Sequence, residues 1–315
     1  MTAAGKHFLA VVLAADDASS FALGTALLSF KKNSPLLFKR AQFTVYTQDM
    51  SQQNRAALGR ICDITFKNFK LPFDSATIPE IKKYTELTLS RYECFYMLKD
   101  YQNVLWLDID ILITSEIADI LSYGKTGVAL AHDLNLTAFN FFKAPPQEYD
   151  LTRPNFNAGV MLLTQNLPNP DGWADFCLRA TQALAPLLRW PDQAILNLAL
   201  QHFGLQPGVL PTGFNAHPFS APVPCYKAAL LHAMGRHKFW TDCPLPQWAE
   251  LYAGWLAVGG KPMPVQKHDT AARLIFKIKI LAERVPLLWT VFNFLNKRRF
   301  KKINKKILKQ VINDS

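Results

Sequence analysis

Near-continuous apolar runs alternate with helical periodicities along the first third of the chain. Residues 7–14, HFLAVVLA, read as a strand buried on both faces. SSFALGTALLSFKKN (19–33) reads as a helix, with Ser19 or Ser20 placed to cap it. AQFTVYT (41–47) is a second strand, MSQQNRAALGRIC (50–62) a helix and DITFKNF (63–69) a third strand. TELTLSRYECFYMLKDY (85–101) predicts one more helix and NVLWLDIDILI (103–113) one more strand. This alternation predicts an α/β fold, a mostly parallel sheet flanked by helices. Ligands of such sheets bind beyond the carboxyl ends of the strands. Asp16–Asp17 and Asp108–Asp110 both occupy such ends.

Further along, GVALAHD (127–133) and FNAGVMLL (156–163) read as buried strands, and WPDQAILNLAL (190–200) as a helix with Asp192 and Gln193 at its start. Residues 69–80 and 136–154 carry no clear period and are long enough to act as lids that exclude water. FLAVVLAA stops after eight apolar residues at Asp16–Asp17, so it reads as a first strand rather than a signal peptide. No apolar run reaches the roughly 18 residues a spanning helix needs.

Charge changes this picture at one end only. The net charge is +11, and residues 261–315 hold 14 Lys and Arg against 3 Asp and Glu, while the other 260 residues balance to zero. The expected division is therefore a catalytic body, 1–260, and a basic tail, 261–315. In the tail, Leu274, Ile275, Ile278, Leu281, Ala282 and Val285 recur at helical spacing, with Phe276 and Ile280 off that stripe. The stretch 297–309 then carries eight basic residues and no acid, with Phe300, Ile303, Ile307, Leu308 and Val311 near one face. A basic amphipathic helix of this kind predicts docking on an anionic membrane surface, with the protein cytoplasmic and peripherally attached to an inner membrane. Nucleic acid is excluded as a partner, because the body is neutral and holds no base-reading module. Five dispersed cysteines without a C-x-x-C pair predict free thiols in a reducing compartment.

The chemistry concentrates at VLWLDIDILI (104–113). Alternate strand side chains share a face, so Asp108 and Asp110 are expected to point together while Ile109 packs inward. Two ionised carboxylates repel, and a divalent cation offsets that repulsion; hard oxygen ligands suit Mg²⁺ or Mn²⁺. LLHAMGRHKFW (230–240) supplies His232 as a further ligand, Gly235 for close backbone approach and Lys238 to neutralise phosphate.

In order and spacing, AADD, LSRYECFYML, VLWLDIDILI, FNAGVMLL, PDQAILNLA, LPTGFNAHP and LLHAMGRHKFW resemble the successive motifs of glycosyltransferase family 8 over about residues 7–240. The nearest likeness is to bacterial lipopolysaccharide and lipooligosaccharide galactosyl- and glucosyltransferases. The resemblance implies a GT-A type nucleotide-sugar-binding fold with a Rossmann-like sheet, and transfer of a hexose from a UDP-sugar with retention at the anomeric carbon. It implies Asp108, Asp110 and His232 as ligands of Mn²⁺ or Mg²⁺, and Gly235 and Lys238 on the diphosphate. Asp16 would meet the uridine, Arg91 the donor, and Asn157 and Ala158 the sugar pocket. Asp133 and Asp192 would bind sugar hydroxyls, and Gln193 would sit beneath the anomeric carbon. The acceptor implied is a saccharide or lipid-linked oligosaccharide. One departure concerns the base: the family often has an aromatic residue where Ser19 stands, with Phe21 a neighbouring substitute. Two other classes fit parts of the pattern. A sugar nucleotidyltransferase shares the architecture but expects a glycine-rich phosphate loop, and a non-catalytic glycan-binding protein does not require Asp108, Asp110, His232 and Lys238 together.

Overall fold

The computed structural model describes residues 6–313 except 79, 80, 82–84, 146–148 and 221. Its first half follows the expected alternation: β1 (His7–Ala14), α1 (Ser20–Asn33), α2 (Pro35–Arg40), β2 (Gln42–Thr47), α3 (Gln52–Gly59) and β3 (Ile64–Asn68). Pro35 opens α2 at a position where a missing N–H costs nothing. The single helix expected over 85–101 is instead a 3₁₀ stretch, Glu86–Tyr92, followed by the short α4 (Glu93–Met97). Ser90 Oγ and Arg91 Nε both bond carbonyls three residues back, Leu87 and Thr88, and this matches the tighter winding.

The strand expected over 103–113 is also two. β4 (Tyr101–Leu107) ends before the carboxylates, and β5 (Ile111–Ile113) belongs to another sheet. The last link to the main sheet is Asp108 N–H on the Gly159 carbonyl at 2.8 Å. Asp108 and Asp110 thus sit in the break between strands, where a carboxylate reaches a cation without lying inside a dry core.

After β5 come β6 (Val128–Leu136), β7 (Pro154–Thr164), α5 (Pro170–Leu184), α6 (Pro191–His202), β8 (Gly208–Leu210), β9 (Leu230–His232), α7 (Pro246–Ala257), α8 (Thr270–Ala282) and α9 (Pro286–Asn313). The main sheet has seven strands in the order β3-β2-β1-β4-β7-β6-β8, and β5 pairs with β9 in a second sheet. Only β7 runs antiparallel to its neighbours in the main sheet. Among the described residues no crossover helix joins β6 to β7, and the chain returns as a wide antiparallel hairpin. That hairpin loses register between His132 and Leu136, leaving Asp133, Leu134 and Asn135 in a bulge.

The β1 side chains divide the core: Leu9, Val11 and Leu13 pack with α1 on one face, Ala10 and Val12 with the 3₁₀ stretch and α4 on the other. Much of the two aperiodic stretches is packed there too. Phe69, Leu71, Ile78, Phe141 and Leu151 are buried, while residues 79, 80 and 146–148 of the expected lids lie outside the described residues. All five cysteines are free thiols.

The basic tail lies on the body. Lys261 pairs with Asp17 at 2.7 Å and Phe276 is buried in the core. Val311, Ile307 and Leu308 pack into the opposite layer, so the C-terminal part of the 300–311 apolar face rests on the body. The stripe of α8 is turned outward instead, with Ile275, Ile278 and Leu281 56%, 56% and 63% exposed. Among the described residues no helix is long and apolar enough to cross a membrane.

Candidate active site

The break after β4 and the end of β9 bring three ligating side chains together. Ile111 pairs with His232 across the small sheet, and Ala233 N–H bonds the Asp110 carbonyl at 2.9 Å. His232 Nε2 lies 3.1 Å from Asp110 Oδ1 and 3.6 Å from Asp108 Oδ2. One donor atom from each of Asp108, Asp110 and His232 falls within 4.8 Å of the others. Gly159 makes this approach possible: a Cβ there would stand 2.1 Å from His232 Cε1 and 2.7 Å from Asp108 Oδ2.

The other ring nitrogen of His232 fixes its tautomer. Nδ1 donates to Asn215 Oδ1 at 2.8 Å, and the amide of Asn215 in turn donates to Asn157 Oδ1 at 2.8 Å. Nε2 then faces two carboxylates, and that contact is favourable only with positive charge at the nitrogen, a proton on the ring or a metal ion in its place. The donor set therefore fits a hard divalent ion such as Mn²⁺ or Mg²⁺, with the ligating histidine oriented by an amide oxygen. Burial raises the Asp110 pKa, but the Lys238 ammonium and His232 outweigh it and hold the carboxyl well below the ordinary range. Lys238 pairs directly with Asp110 and also donates to the Ala233 carbonyl at 3.0 Å. Gly235, at φ 76°, takes the left-handed turn between His232 and Lys238 that a side chain would strain.

Arg91 ties Asp108 to Asp192. Its buried guanidinium reaches Asp108 at 3.0 Å, Asp192 at 2.9 Å and the Ala158 carbonyl at 2.6 Å. It also lies over the Trp106 ring, whose Nε1 donates to Asp108 Oδ1. Burial pushes the Asp192 carboxyl up, the Arg91 charge pulls it back, and the Asp108 charge pushes again. The Ala158 side chain is in the core, so its part in this region is its carbonyl.

The amide series continues past Asn157. Asn157 Nδ2 donates to Gln193 Oε1 at 2.9 Å, and Gln193 Nε2 donates to Asn140 Oδ1 at 3.0 Å and Asp133 Oδ2 at 3.4 Å. An unbroken run of polar contacts thus connects His232 to Asp133. The β6 bulge aims Asp133 into this run, and Asn155 and Asn135 also donate to its carboxylate. Burial still dominates and raises the Asp133 pKa. Asn140, Asn155, Asn215 and Gly159 join the site without having been singled out as functional from sequence. Only their presence inside the quoted motifs signals Asn215 and Gly159.

At the end of β1 the two acids differ. Asp17 is pinned by Ser51 N–H at 2.9 Å, Asn54 at 2.7 Å and Lys261, and these contacts hold its pKa well below normal against burial. Asp16 closes on Ser19, whose N–H donates to it at 2.8 Å, and makes no contact with the acidic cluster. Phe21 is buried and edge-on to Trp240, 5.1 Å between centroids, so it is not free to stack on a base.

The family model for glycosyl transferase family 8 matches residues 10–243. Among solved structures, the galactosyltransferase LgtC in complex with donor and acceptor sugar analogs is 22% identical, covering 82% of this chain and 98% of its own, with a TM-score of 0.58. The bifunctional glycosyltransferase WbbM is 14% identical over 89% of this chain and 53% of its own, TM-score 0.56. The apo form of the glycosyltransferase GlyE of Streptococcus pneumoniae TIGR4 is 19% identical over 82% of this chain and 65% of its own, TM-score 0.52. A search of curated protein sequences gives no match. The mostly parallel seven-stranded sheet with flanking helices is the GT-A arrangement shared with LgtC.

Proposed function

The chain belongs to glycosyltransferase family 8 and is a glycosyltransferase; from that premise we propose that it moves a hexose, galactose or glucose, from a UDP-sugar to a surface-glycan acceptor with retention of configuration. The observation that carries this reading is the convergence of Asp108, Asp110 and His232 beside Lys238, one amide network away from Gln193 and Asp133. When bound, Mn²⁺ or Mg²⁺ would offset the charge that develops on the departing diphosphate. Asp108, Asp110 and His232 would hold it. Lys238 adds a second positive charge for the same diphosphate, and its hold on Asp110 keeps the ammonium beside the ligands. Gly235 lets the backbone approach the phosphates.

Gln193 is held at its carbonyl by Asn157 and at its amide by Asn140 and Asp133, so it presents a fixed dipole. An amide is a poor nucleophile, which favours attack on the face the diphosphate leaves. The bond from the anomeric carbon to phosphate oxygen breaks, the bond to the acceptor oxygen forms, and the acceptor proton passes to the departing phosphate. Asp133 and Asp192 would accept from sugar hydroxyls, and Arg91 would set the positions of Asp108 and Asp192. A sugar nucleotidyltransferase is disfavoured, because the turn after β1 is Ala14-Ala15-Asp16-Asp17 and contains no glycine.

The outward stripe of α8 and the lysine-rich α9 support peripheral attachment to an anionic inner-membrane surface, where lipid-linked acceptors reside. The test of the catalytic reading is a screen of UDP-sugars for hydrolysis with and without Mn²⁺. Release of UDP from UDP-galactose or UDP-glucose, abolished by Asp110→Asn, is expected. Release from no UDP-sugar at any Mn²⁺ concentration would overturn it.

A further inference from the structure

We infer that the cleft between α9 and the bulged end of β6 holds the lipid anchor of the glycan acceptor, an aliphatic chain carrying phosphate; this rests on the transferase reading above. The cleft has a volume of about 600 Å³, within the range of small-molecule sites. Leu134, Leu136, Pro222, Phe300 and Leu308 make its floor and walls.

Two asparagines set its width. Asn296 donates to the Ser220 carbonyl at 3.3 Å, and Asn304 donates to the Leu134 carbonyl at 3.1 Å while accepting from Leu136 N–H at 3.3 Å. The two are eight residues apart, roughly 12 Å along a helix. Between these pegs α9 bridges the surface and leaves the slot beneath it open. Hydrogen-bonded supports at both ends distinguish this slot from a gap left by poor packing.

Its edge carries Lys297, Lys301 and Lys305, at successive i, i+4 positions, and no carboxylate lines it among the described residues. Like charges at that spacing repel each other, so an anion on the edge relieves the helix. An apolar slot with a cationic edge complements an aliphatic chain bearing phosphate. The slot also adjoins the site along the chain. Leu134 lines it, and the preceding residue, Asp133, accepts from Gln193. A lipid seated there would have its phosphate on the lysines and its saccharide directed toward the amide network.

The experiment is titration calorimetry of the full chain with dodecyl phosphate below its critical micelle concentration, with donor hydrolysis measured on the same samples. Saturable binding at one site is expected, weakened roughly tenfold to thirtyfold by K301E/K305E and unchanged by K32E/K39E, which reverses the same charges on α1 and α2. These lysines are exposed, so the fold is not at stake. Inorganic phosphate and dodecyl maltoside are expected to bind far more weakly. Absence of saturable binding, or binding indifferent to K301E/K305E, would overturn the proposal. Equal binding of dodecyl maltoside removes the anionic anchor, and equal binding of dihexanoyl phosphatidylglycerol assigns the slot to ordinary phospholipid; a K301E/K305E-sensitive dimer assigns it to a second copy of the chain. Any of these overturns it. Hydrolysis without dodecyl phosphate binding sinks the lipid slot alone, whereas a wild-type chain that hydrolyses no donor sinks the transferase reading and the slot with it.

Discussion

Asn215 and His232 share a 2.8 Å hydrogen bond, Oδ1 to Nδ1, that turns the far nitrogen of the imidazole toward Asp108 and Asp110. Asn215 also donates to Asn157, so one amide orients both the ligating ring and the first link of the sugar-side network. Partners of this kind are worth about 10–100-fold in metal affinity. Asn215→Ala is expected to weaken Mn²⁺ binding by about that factor, measured by calorimetry in the presence of UDP. Affinity equal to wild type would leave the bond without a role at the ligand.

Gly159 is the second test of how tightly the site is built. An alanine methyl would collide with His232 and Asp108 at 2.1 and 2.7 Å, and Gly159 is held on the β4 side by the Asp108 N–H on its carbonyl at 2.8 Å. Gly159→Ala is expected to fold and to lose on the order of 100-fold in kcat, the scale of an ångström displacement at reacting groups. Steady-state kinetics at saturating Mn²⁺ separates this from a loss of metal affinity alone.

Two carboxyls predict opposite dependences of stability on pH. The Asp133 pKa is raised by burial in the folded chain, so the unfolded chain gives up its proton first. Its contribution is fully present below the unfolded value, about 3.9, and is lost as pH rises through the raised folded value. Asp133→Asn is therefore expected to gain stability relative to wild type toward neutral pH. The Asp17 pKa is lowered: burial opposes ionisation, but Lys261, Ser51 and Asn54 outweigh it. Its contribution is present above the unfolded value and is lost as pH falls toward the folded one, so Asp17→Asn is expected to flatten the acid limb. Urea midpoints between about pH 3 and 7 check both signs.

The strands were legible because β1, β2 and β4 are apolar enough to read as buried on both faces. The ligand types were legible because carboxylate, imidazole and ammonium mark themselves. The asparagines were not: Asn140, Asn155 and Asn215 look like ordinary turn residues until folding joins them. Nor did the pattern reveal that Asp108 and Asp110 lie in a break, since a strand that changes sheets keeps its apolar character throughout. In the tail, Phe276 and Ile280 interrupt the stripe because they face the body, and the stripe itself remains uncovered.

That uncovered stripe is testable without truncation, which would strip Phe276 from the core. Ile278 and Leu281 are more than half exposed, so I278E/L281E changes the surface and not the packing. Full burial of each such side chain is worth about 1.5–3 kcal/mol. Partition onto anionic vesicles is expected to fall by about tenfold or more in cosedimentation, with the thermal midpoint unchanged. Partition equal to wild type would remove the stripe from membrane attachment.

Lys279 and Glu283 make the tail's attachment conditional on a buried ion pair. Their side chains are 1% and 2% exposed, one helical turn apart, and Glu283 accepts the Cys225 N–H at 3.0 Å through both oxygens. Lys279 also reaches Cys225 Sγ at 3.2 Å and lies 5.4 Å from the Trp289 ring centroid. Removing one member of such a pair strands the other charge, typically at a cost of about 3–5 kcal/mol, whereas replacing both by apolar residues is often neutral. Lys279→Met is expected to fall in that range by urea denaturation. The double variant K279M/E283L regains most of the charge penalty, and it stays short of wild type by about 1–3 kcal/mol because the Cys225 N–H keeps no partner. A double variant as unstable as the single one would mean that the pair contributes through its packing and not through its charge.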